Sequence, residues 1–373
     1  MSIYIKEINT RQDLQKFIRF PNQLYRHNQY YVPELTSDEL NTLSSEKNPA
    51  FKHCDARYWL AYRDGEIVGR VAAILNRKHI EKWNQLYLRF GWLDFIDDED
   101  VSGALMGAVE DWAGRLHMQA IHGPLGFTNL DRAGMLIAGF DELATMATSY
   151  NYPYYPQHME RMGYVKDTDY VEYELIVPIE QNEKIARAAA IVLKRNQLTL
   201  LKVRRKKELL TYAKELFDLI NEEYSHLYGT VPLTEAQISR YIKQFFGFVH
   251  PDFVPVVLDK HGRMVAFGVT IPSLSRALQK SRGELLPFGW WHLLYALRKN
   301  DRADLYLVAV KKEYQGMGVN AILMDHITKV FIRYGIRKVE SNPEMETNVN
   351  VQSQWKFFEQ RQHKQRRCFI KHL

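Results

Sequence analysis

The chain has 373 residues, of which 46% are hydrophobic and 25% charged, and its 50 Lys and Arg against 44 Asp and Glu leave a net charge of +6. This length exceeds what a single hydrophobic core usually needs, which predicts two domains. The mild positive charge favours anionic partners, such as phosphate-bearing ligands or a membrane surface, and argues against a specific nucleic-acid site, which would need a basic stripe and a recognisable module.

The two cysteines, Cys54 and Cys368, lie at opposite ends of the chain, so the sequence predicts neither a disulfide framework nor a metal site. The opening residues, MSIYIKEINTRQDLQKF, lack the basic and then apolar layout of a secretory signal. No run of about 18 apolar residues is available to span a bilayer. These features predict a protein of the reducing cytoplasm.

The first half of the chain alternates strand and helix signals. A hairpin is predicted where Asp64-Gly65 separates two strand-like runs, and the acidic run at 97–100 is predicted to open a helix because carboxylates stabilise helix N-termini. The predicted elements are a strand at 3–5, a helix from Arg11, hairpin strands at 58–62 and 67–75, strands at 90–96 and 120–127, helices at 101–118 and 155–162, and a terminal strand at 170–177.

The second half repeats this order, with another hairpin predicted around Gly262. The predicted elements are helices at 208–226 and 234–246, strands at 254–258, 264–271 and 305–310, a helix at 319–334, a strand at 338–341, a helix at 349–360 and a final strand at 367–371. This plan predicts an α+β fold of two related domains in tandem, each a mixed central sheet flanked by helices. The predicted boundaries are 1–178 for the first domain, 179–207 for a linker, and 208–373 for the second domain with an insertion at 272–300.

A strand at 305–310 is followed by the turn Gln315-Gly316-Met317-Gly318 and then by an amphipathic helix. A helix N-terminus exposes N–H groups that bind anions, and Gly316 and Gly318 would let the main chain approach phosphates without a Cβ atom in the way. The preceding strand can hydrogen-bond an extended ligand as an added strand would. The pattern therefore predicts a site for a phosphorylated ligand, with a merely structural connection as the alternative.

The stretch from Val308 to Val319, VAVKKEYQGMGV, resembles the Q/R-x-x-G-x-G/A acyl-CoA signature of the GNAT acyltransferase superfamily. The resemblance covers the C-terminal half and, more loosely, the N-terminal half. It implies acetyl-CoA or a longer acyl-CoA as co-substrate, with the pyrophosphate on the main-chain amides of the turn and pantetheine along a splayed strand. The implied cofactor-binding residues are Val308, Val310, Gln315, Gly316, Met317, Gly318, Val319 and Asn320. Asn320 stands where the signature ends in Gly or Ala, and its tolerance of unusual backbone angles and its capping ability would preserve binding.

A second motif of the superfamily pairs an Asn with a Tyr seven residues later, and that Tyr often protonates the leaving thiolate. Here Asn348 is followed at that spacing by Trp355, whose N–H donates a hydrogen bond but is no acid at working pH. Tyr306, on the binding strand, is the substitute candidate, with a packing role as its alternative. Asn348 and Trp355 remain candidates for contacts with the acceptor substrate.

Attack by an amine also requires a group that takes its proton. Asp304 and Glu340 are the candidates for this base, because they lie on or beside the strands that would flank the splay. Glu344 and Glu346 lie in the following loop, and a surface or capping role is the alternative for each of these carboxylates. A main-chain N–H near Val308 is expected to stabilise the oxyanion.

The first half lacks the glycine signature and has the acidic run 97–100 at the corresponding place, which would repel phosphates. Two of its residues, Asn151 and Tyr152, lie in polar and aromatic loops that could line a substrate groove. The resemblance extends to Met162-Gly163-Tyr164, which is similar to the end of the superfamily's fourth helix. A degenerate domain kept for packing is the alternative interpretation.

The insertion carries apolar residues at helical spacing together with Trp290 and Trp291, and basic residues follow. A basic, Trp-rich segment can lie on a membrane or wall a long acyl chain, which makes Trp291 a candidate substrate contact. Packing of the apolar stripe into the core is the alternative.

The resemblance implies an enzyme that moves an acetyl or longer acyl group from a CoA thioester to a primary amine by direct attack. A covalent acyl-enzyme is not expected because neither cysteine is near the motif. The chain is similar to bacterial tandem-GNAT proteins, and some bacterial GNAT-type enzymes acylate sphingoid bases with fatty acyl-CoA. One alternative is therefore a long-chain lipid-amine acyltransferase peripheral to the inner membrane, and another is a catalytically inactive CoA-binding or interaction protein. The expected partner is a small-molecule or lipid amine.

Overall fold

The computed structural model describes residues 2–203 and 205–373, and these form two compact units. Unit 1 comprises Met1–Val171, Leu274–Leu293 and His363–Leu373, and unit 2 comprises Glu172–Ser273 and Leu294–Gln362. Both units are therefore discontinuous in sequence, whereas the predicted domains were continuous. No helix in the described ranges is long and apolar enough to cross a bilayer.

The strands and helices before the end of the first half follow the predicted order. They are β1 (Tyr4–Glu7), α1 (Arg11–Leu24), α2 (Thr36–Leu43), β2 (Cys54–Arg63), β3 (Glu66–Asn76), α3 (Arg77–Trp83), β4 (Tyr87–Phe95), α4 (Glu99–Arg115), β5 (Ala120–Gly123), β6 (Met135–Ala138), α5 (Tyr154–Arg161) and β7 (Val165–Ile176). The predicted hairpin at Asp64-Gly65 is confirmed: both residues have positive φ, 50° and 82°, which matches the twist of the two strands they join.

The second half has more elements than predicted, and the predicted helix at 208–226 is divided into two shorter helices. They are α6 (Glu183–Arg195), β8 (Thr199–Leu200), α7 (Lys206–Leu210), α8 (Ala213–Glu223), α9 (Glu235–Phe245), β9 (Val256–Leu258), β10 (Met264–Pro272), α10 (Ser275–Ser281), α11 (Gly289–Arg298), β11 (Arg302–Val310), α12 (Val319–Tyr334), β12 (Lys338–Ser341), β13 (Glu344–Met345), α13 (Val349–Gln352) and β14 (Glu359–His372). The helix predicted at 349–360 is wrong, since α13 is short and a 3₁₀ turn, Ser353–Phe357, follows it.

The sheet of unit 1 has the order β1-β2-β3-β4-β5-β14-β7, in which β4 and β5 are parallel. The part of β14 that belongs to this unit pairs antiparallel with β5, with Phe369 opposite Gly123. The predicted second domain, 208–373, included this final strand. That assignment is wrong, because residues His363–Leu373 belong to unit 1. Alternating hydrophobicity identifies a strand but carries no information about its partner.

The sheet of unit 2 has the order β7-β12-β11-β10-β9-β8, to which β7 contributes the residues after Val171. In this part of β7, Ile176 lies opposite Lys338 of β12, and the two strands are antiparallel. On the neighbouring side, β12 runs parallel to β11, and β11 is antiparallel to β10. This mixed sheet carries the glycine turn that follows β11.

The segment 179–207, predicted as a linker, contains helix α6, which packs into the core of unit 2. Ala189 and Val192 lie in one buried cluster with Val319, Ile322 and Leu323 of α12. The apolar residues of α6 recur on one face at helical spacing, and this face covers the start of α12. The segment is therefore a structural part of unit 2.

We expect Ala189→Asp to lower the free energy of unfolding by about 3 kcal/mol or more, because it buries a carboxylate without a partner. Ala190→Asp is the matched control, since Ala190 is the next residue on the same helix and is exposed; its effect should stay within about 0.5 kcal/mol. Urea unfolding of both variants measures the difference. Equal, small effects would mean that α6 does not pack as described.

Candidate functional site

Strand β11 has an extra residue in its middle. Opposite it on β10, Thr270 pairs with Leu305 and the next residue, Val269, pairs with Leu307, so Tyr306 has no counterpart. This is a β-bulge, which bends a strand and changes the direction of the side chains that follow. Leu305 and Val308 are three positions apart, so in a regular strand their side chains would point to opposite faces. Both instead pack against α12, Leu305 in one apolar cluster of unit 2 and Val308 in another.

Beyond the bulge, β11 diverges from β12. Their parallel pairing runs from Arg302 and Lys338 to Leu305 and Ser341, and in residues 205–373 no strand pairs with this edge of β11 further along. The side chain of Asn342, just after β12, donates from Nδ2 to the carbonyl of Tyr306 at 3.0 Å. The predicted splay thus opens immediately after the bulge.

The main chain of Val308 at this open edge is occupied by the hydroxyl of Tyr224. The hydroxyl donates to the Val308 carbonyl at 2.9 Å and lies 3.4 Å from the Val308 amide nitrogen, from which it accepts. Tyr224 follows the last residue of α8. Because a hydroxyl is both donor and acceptor, one side chain satisfies the two groups that a neighbouring strand would otherwise bind.

The glycine turn leads from β11 into α12. Gly316 and Gly318 have φ of +74° and +83°, a conformation that costs other residues energy, and Gly318 is the N-cap of the helix. In the part of the chain that the structure describes, the amide N–H groups of Gly316, Gly318, Val319 and Asn320 have no hydrogen-bond acceptor. Four main-chain donors at one helix N-terminus, three of them on exposed or partly exposed residues, form a site suited to an anion.

Two side chains of the motif are placed differently from expectation. Gln315 donates from Nε2 to Glu223 at 2.8 Å and to the Val310 carbonyl at 2.9 Å, so its donors are engaged within the protein. Asn320 does not cap the helix, because the N-cap is Gly318, two residues earlier. Its Oδ1 atom is buried without a hydrogen-bond partner among the described residues. Met317 is 40% exposed, and its main-chain amide, predicted to bind the pyrophosphate, donates instead to the Tyr314 carbonyl at 3.3 Å.

A carboxyl group with a raised pKa, that of Glu344, lies in the short strand β13, just after β12. Burial raises the pKa of Glu344 to about 8, and hydrogen bonds from Trp355 and Ser341 offset this rise only in part. The indole Nε1 of Trp355 donates to the two carboxylate oxygens at 2.9 and 3.2 Å. Trp355 is itself buried in the cluster formed around Ala303 and Val339, so it holds the carboxylate in one position.

The environment of Glu344 includes two tyrosines. The charge of Glu344 contributes, after burial, to a raised pKa of Tyr173, and it adds to the burial that raises the pKa of Tyr224 to about 12. Tyr224 therefore keeps its proton at neutral pH and acts as a neutral hydrogen-bond donor. The site combines the Glu344 carboxylate, which can take up a proton near pH 8, the Tyr224 phenol, and the edge of β11 that no strand of residues 205–373 pairs with.

The predicted bases Asp304 and Glu340 lie opposite each other in the closed, paired part of β11 and β12, before the splay. Their neighbours Ala303 and Val339 pack in the cluster that contains Trp355, so the side chains of Asp304 and Glu340 project from the other face of the sheet. The structure therefore does not bring them to the Glu344 site. The predicted acid Tyr306 is the bulge residue, and what it contributes to the splay is its main-chain carbonyl.

Asn348 and Trp355, the residues of unit 2 predicted to contact the acceptor substrate, have different roles. Asn348 caps the short helix α13 by accepting from the Val351 amide. Trp355, seven residues later, is the partner of Glu344 rather than a side chain open to solvent. Glu344 was predicted only as one of several loop carboxylates, and it is the residue that Trp355 of this motif holds in place.

In unit 1, Asn151 is used structurally. Its side chain accepts from the Leu136 amide at 2.7 Å and donates to the Leu136 carbonyl at 3.0 Å, which holds strand β6 in place. Tyr152 lies within an aromatic cluster, 5.0 Å from Tyr25 and 5.6 Å from Tyr154 between ring centres. In unit 1, helix α4 corresponds to α12. Asp98 accepts from the amides of Asp100 and Val101, so the Asp98 carboxylate occupies the N-terminus of α4.

Trp291, predicted as a wall of an acyl-chain site, is 59% exposed on α11. The alternative, that the apolar stripe of the insertion packs into the core, is wrong for Trp290, Trp291 and Leu294, although Leu293 is buried. Helical spacing alone does not distinguish a face that packs inward from one that faces solvent.

Tyr224 is the residue that the sequence analysis missed. It lies 84 positions before Val308, outside every motif, and nothing in its neighbourhood distinguishes it from the other tyrosines of the chain. The only local indication is that it ends a helix whose buried residues are Leu216, Phe217, Leu219 and Ile220. Only the fold brings its hydroxyl to the strand edge.

Residues 213–363 match the Acetyltransferase (GNAT) family. The chain is 28% identical over 354 residues to Protein YghO of Escherichia coli (strain K12), which covers 93% of this chain and 90% of that protein. It is 27% identical over 317 residues to a Bacterial ceramide synthase of Caulobacter vibrioides (strain NA1000 / CB15N), over 83% of this chain and 80% of that protein. A solved tandem GNAT protein from the clavulanic acid biosynthesis pathway superposes with a TM-score of 0.57 at 11% identity, over 100% of this chain and 98% of that chain. These findings confirm the predicted fold class.

Proposed function

We propose that this protein is an acyl-CoA-dependent N-acyltransferase that acts on a primary amine, because residues 213–363 match the Acetyltransferase (GNAT) family and the fold is similar to that of a solved tandem GNAT protein. The observation that carries the proposal is the carboxylate of Glu344, with a pKa of about 8, near a strand edge that ends in an anion-binding helix N-terminus. Acyl transfer to an amine needs a proton acceptor and a hold on the CoA phosphates, and Glu344 and the N-terminus of α12 have the chemistry for these two roles.

The substrate acyl-CoA fits the turn and the strand in the following way. Its pyrophosphate accepts from the N–H groups of Gly316, Gly318 and Val319, and its pantetheine arm lies along the open edge of β11. A pantetheine amide would replace the Tyr224 hydroxyl at the Val308 carbonyl. The hydroxyl then turns toward the thioester oxygen, which lies beside the Val308 amide.

Direct attack follows from this arrangement. Glu344 in its ionised form takes the proton of the bound ammonium group, and the free amine attacks the thioester carbon. The oxyanion of the tetrahedral intermediate accepts from the Val308 amide and from Tyr224, which stays neutral because of its high pKa. Collapse of the intermediate re-forms the C=O bond, breaks the C–S bond and expels the CoA thiolate, which is a weaker base than the amine. The second proton of the attacking nitrogen passes to the thiolate, so the products are the amide and the CoA thiol, and Glu344 releases the first proton to solvent.

A long-chain lipid amine is the second candidate acceptor. Two observations favour it: the 27% identity to the Bacterial ceramide synthase, and the apolar, exposed segment around Trp290 and Trp291. A small-molecule amine with acetyl-CoA is the simpler form of the same reaction. The two differ in the length of acyl chain that the protein accepts.

A thermal-shift series with CoA thioesters from acetyl to palmitoyl tests the proposal, since a ligand that binds only the folded state raises its apparent stability. Release of CoA thiol in the presence of primary amines, with and without detergent and sphingoid base, then identifies the acceptor class. Binding of CoA without turnover over the whole amine panel would favour the inactive CoA-binding protein. Absence of any CoA binding would contradict the proposal altogether.

We expect Tyr224→Phe to lower kcat by about 10²–10³-fold, because it removes one of the two oxyanion donors. Tyr334→Phe is the matched control: it also removes a bonded hydroxyl from unit 2, one that donates to Asp252 at 2.9 Å, and should leave kcat unchanged. Steady-state kinetics with acyl-CoA as varied substrate measures both. If Tyr224→Phe raised KM alone, Tyr224 would be a binding residue and not an oxyanion donor.

A further inference from the structure

The segment between Leu285 and Lys299 exposes large apolar side chains next to one another. Each of six such residues has between 45% and 79% of its side chain accessible to solvent, and they are Leu286, Phe288, Trp290, Trp291, Leu294 and Tyr295. Soluble proteins scatter exposed apolar residues singly, and a contiguous group marks a contact surface. We call these six residues the aromatic patch.

The residues that precede the aromatic patch are held in unit 1 by hydrogen bonds. The Thr36 amide donates to the Gly283 carbonyl at 2.9 Å, and Asn22 donates to the Arg282 carbonyl at 3.3 Å. A Cβ atom at Gly289 would lie 1.8 Å from the Glu284 carbonyl oxygen, so the start of α11 fits closely onto the preceding loop. The apolar side chains are therefore displayed by an ordered support and not by a free loop.

Within α11 the two faces differ. Gly289 and Leu293 are buried, while Trp290, Trp291, Leu294 and Tyr295 recur three and four residues apart on the outer face. Both exposed indoles join a large apolar surface to an N–H donor, and such rings are favoured at the boundary between lipid and water.

The charged residues around the aromatic patch are mostly basic. Between Arg276 and Lys299 the sequence has five Lys or Arg and one acid, Glu284. That acid bonds to Arg19 and to the Thr36 hydroxyl, so it is compensated within unit 1. The five cations, all exposed, are Arg276, Lys280, Arg282, Arg298 and Lys299.

We propose that the aromatic patch and these five cations form a membrane-binding surface, which inserts its apolar side chains at the interface of a bilayer that contains anionic phospholipid. Interfacial binding of this kind combines burial of apolar area with attraction between Lys or Arg and anionic headgroups. Charge complementarity selects an anionic lipid surface as the occupant, because an apolar protein partner would leave the five exposed cations without counter-charges. The inference does not rest on acyl transfer, since binding is measured without substrate.

Co-sedimentation of the full chain with large vesicles tests this surface, using phosphatidylcholine alone and a mixture with phosphatidylglycerol. The wild type should bind the anionic vesicles, and Trp290→Ser/Trp291→Ser should lower the partition coefficient by at least about tenfold. Lys280→Gln/Lys299→Gln should weaken binding to anionic vesicles by about an order of magnitude and have little effect with phosphatidylcholine.

Ile179→Ser/Ile191→Ser is the matched control, because it replaces two exposed apolar residues that are not part of the aromatic patch. Ile179 is 92% accessible and Ile191 is 62% accessible. The control variant should bind as the wild type does, and circular dichroism melting should show all variants folded. Equal binding by the wild type and the double Trp variant, or no binding to either vesicle, overturns the proposal. A wild-type dimer that the Trp substitutions dissociate, without vesicle binding, would assign the patch to a second copy of the chain and also overturn it.

Discussion

Replacing Glu344 with Gln is expected to lower kcat by about 10²–10⁴-fold, because the amide cannot take a proton from the amine. Gln has nearly the same shape and can still accept from the Trp355 indole, so the position of the side chain should be kept. Steady-state kinetics with saturating acyl-CoA measures the loss. A KM for acyl-CoA that changes little would show that the substitution acts on the chemical step.

The pH dependence provides a second measurement on the same residue. The base is active when ionised, and its pKa is about 8, so the wild-type rate should rise with pH and level off above about pH 8. Glu344→Gln should remove this rise together with most of the activity. The control is Glu346→Gln, which changes a carboxylate of the same loop and should leave both the rate and its pH profile intact. A rise near pH 8 that persisted in Glu344→Gln would assign the titration to another group.

The raised pKa also predicts how stability changes with pH. Since the folded protein binds the proton of Glu344 more tightly than the unfolded chain, its contribution to stability is present at low pH and is lost as pH rises toward about 8 and above. Glu344→Gln carries no charge to bury. It should therefore melt at a higher temperature than the wild type at pH 9, and the difference should shrink toward pH 5.

Gly318→Ala is expected to weaken CoA binding by about ten- to a hundredfold, because its Cβ atom lies at the mouth of the helix where the phosphates would approach. The residue has φ of +83°, and a Cβ atom would lie 3.0 Å from the Val192 methyl group. The substitution also costs about 1–2 kcal/mol of stability through backbone strain. Isothermal titration with CoA measures the affinity.

Gly335→Ala separates these two effects. Gly335 has φ of +72° at the other end of the same helix, and a Cβ atom there would contact nothing within 4 Å. Its substitution should cost similar stability through strain and leave CoA affinity unchanged. If both variants lost affinity to the same degree, the loss would come from destabilised α12 and not from the phosphate site.

The connection from β11 through Gly316 and Gly318 into α12 follows from signals within about fifteen residues of sequence. A β-rich run, two glycines that need positive φ and an amphipathic helix are all local preferences, and the predicted bounds of α12 are those observed. The hairpin at Asp64-Gly65 is of the same kind. Local stereochemistry therefore determined the candidate CoA site.

The chemistry of the site depended on contacts that no local signal carries. Glu344 becomes a base near pH 8 because burial in the fold raises its pKa more than the hydrogen bonds to it lower it, and Tyr224 reaches Val308 across 84 positions of sequence. In the same way, β14 pairs within unit 1 although the sequence places it at the end of the second half. Backbone preferences act between neighbours in the chain, whereas burial, pKa and strand partners are set by which distant segments pack together, so only the tertiary structure decided them.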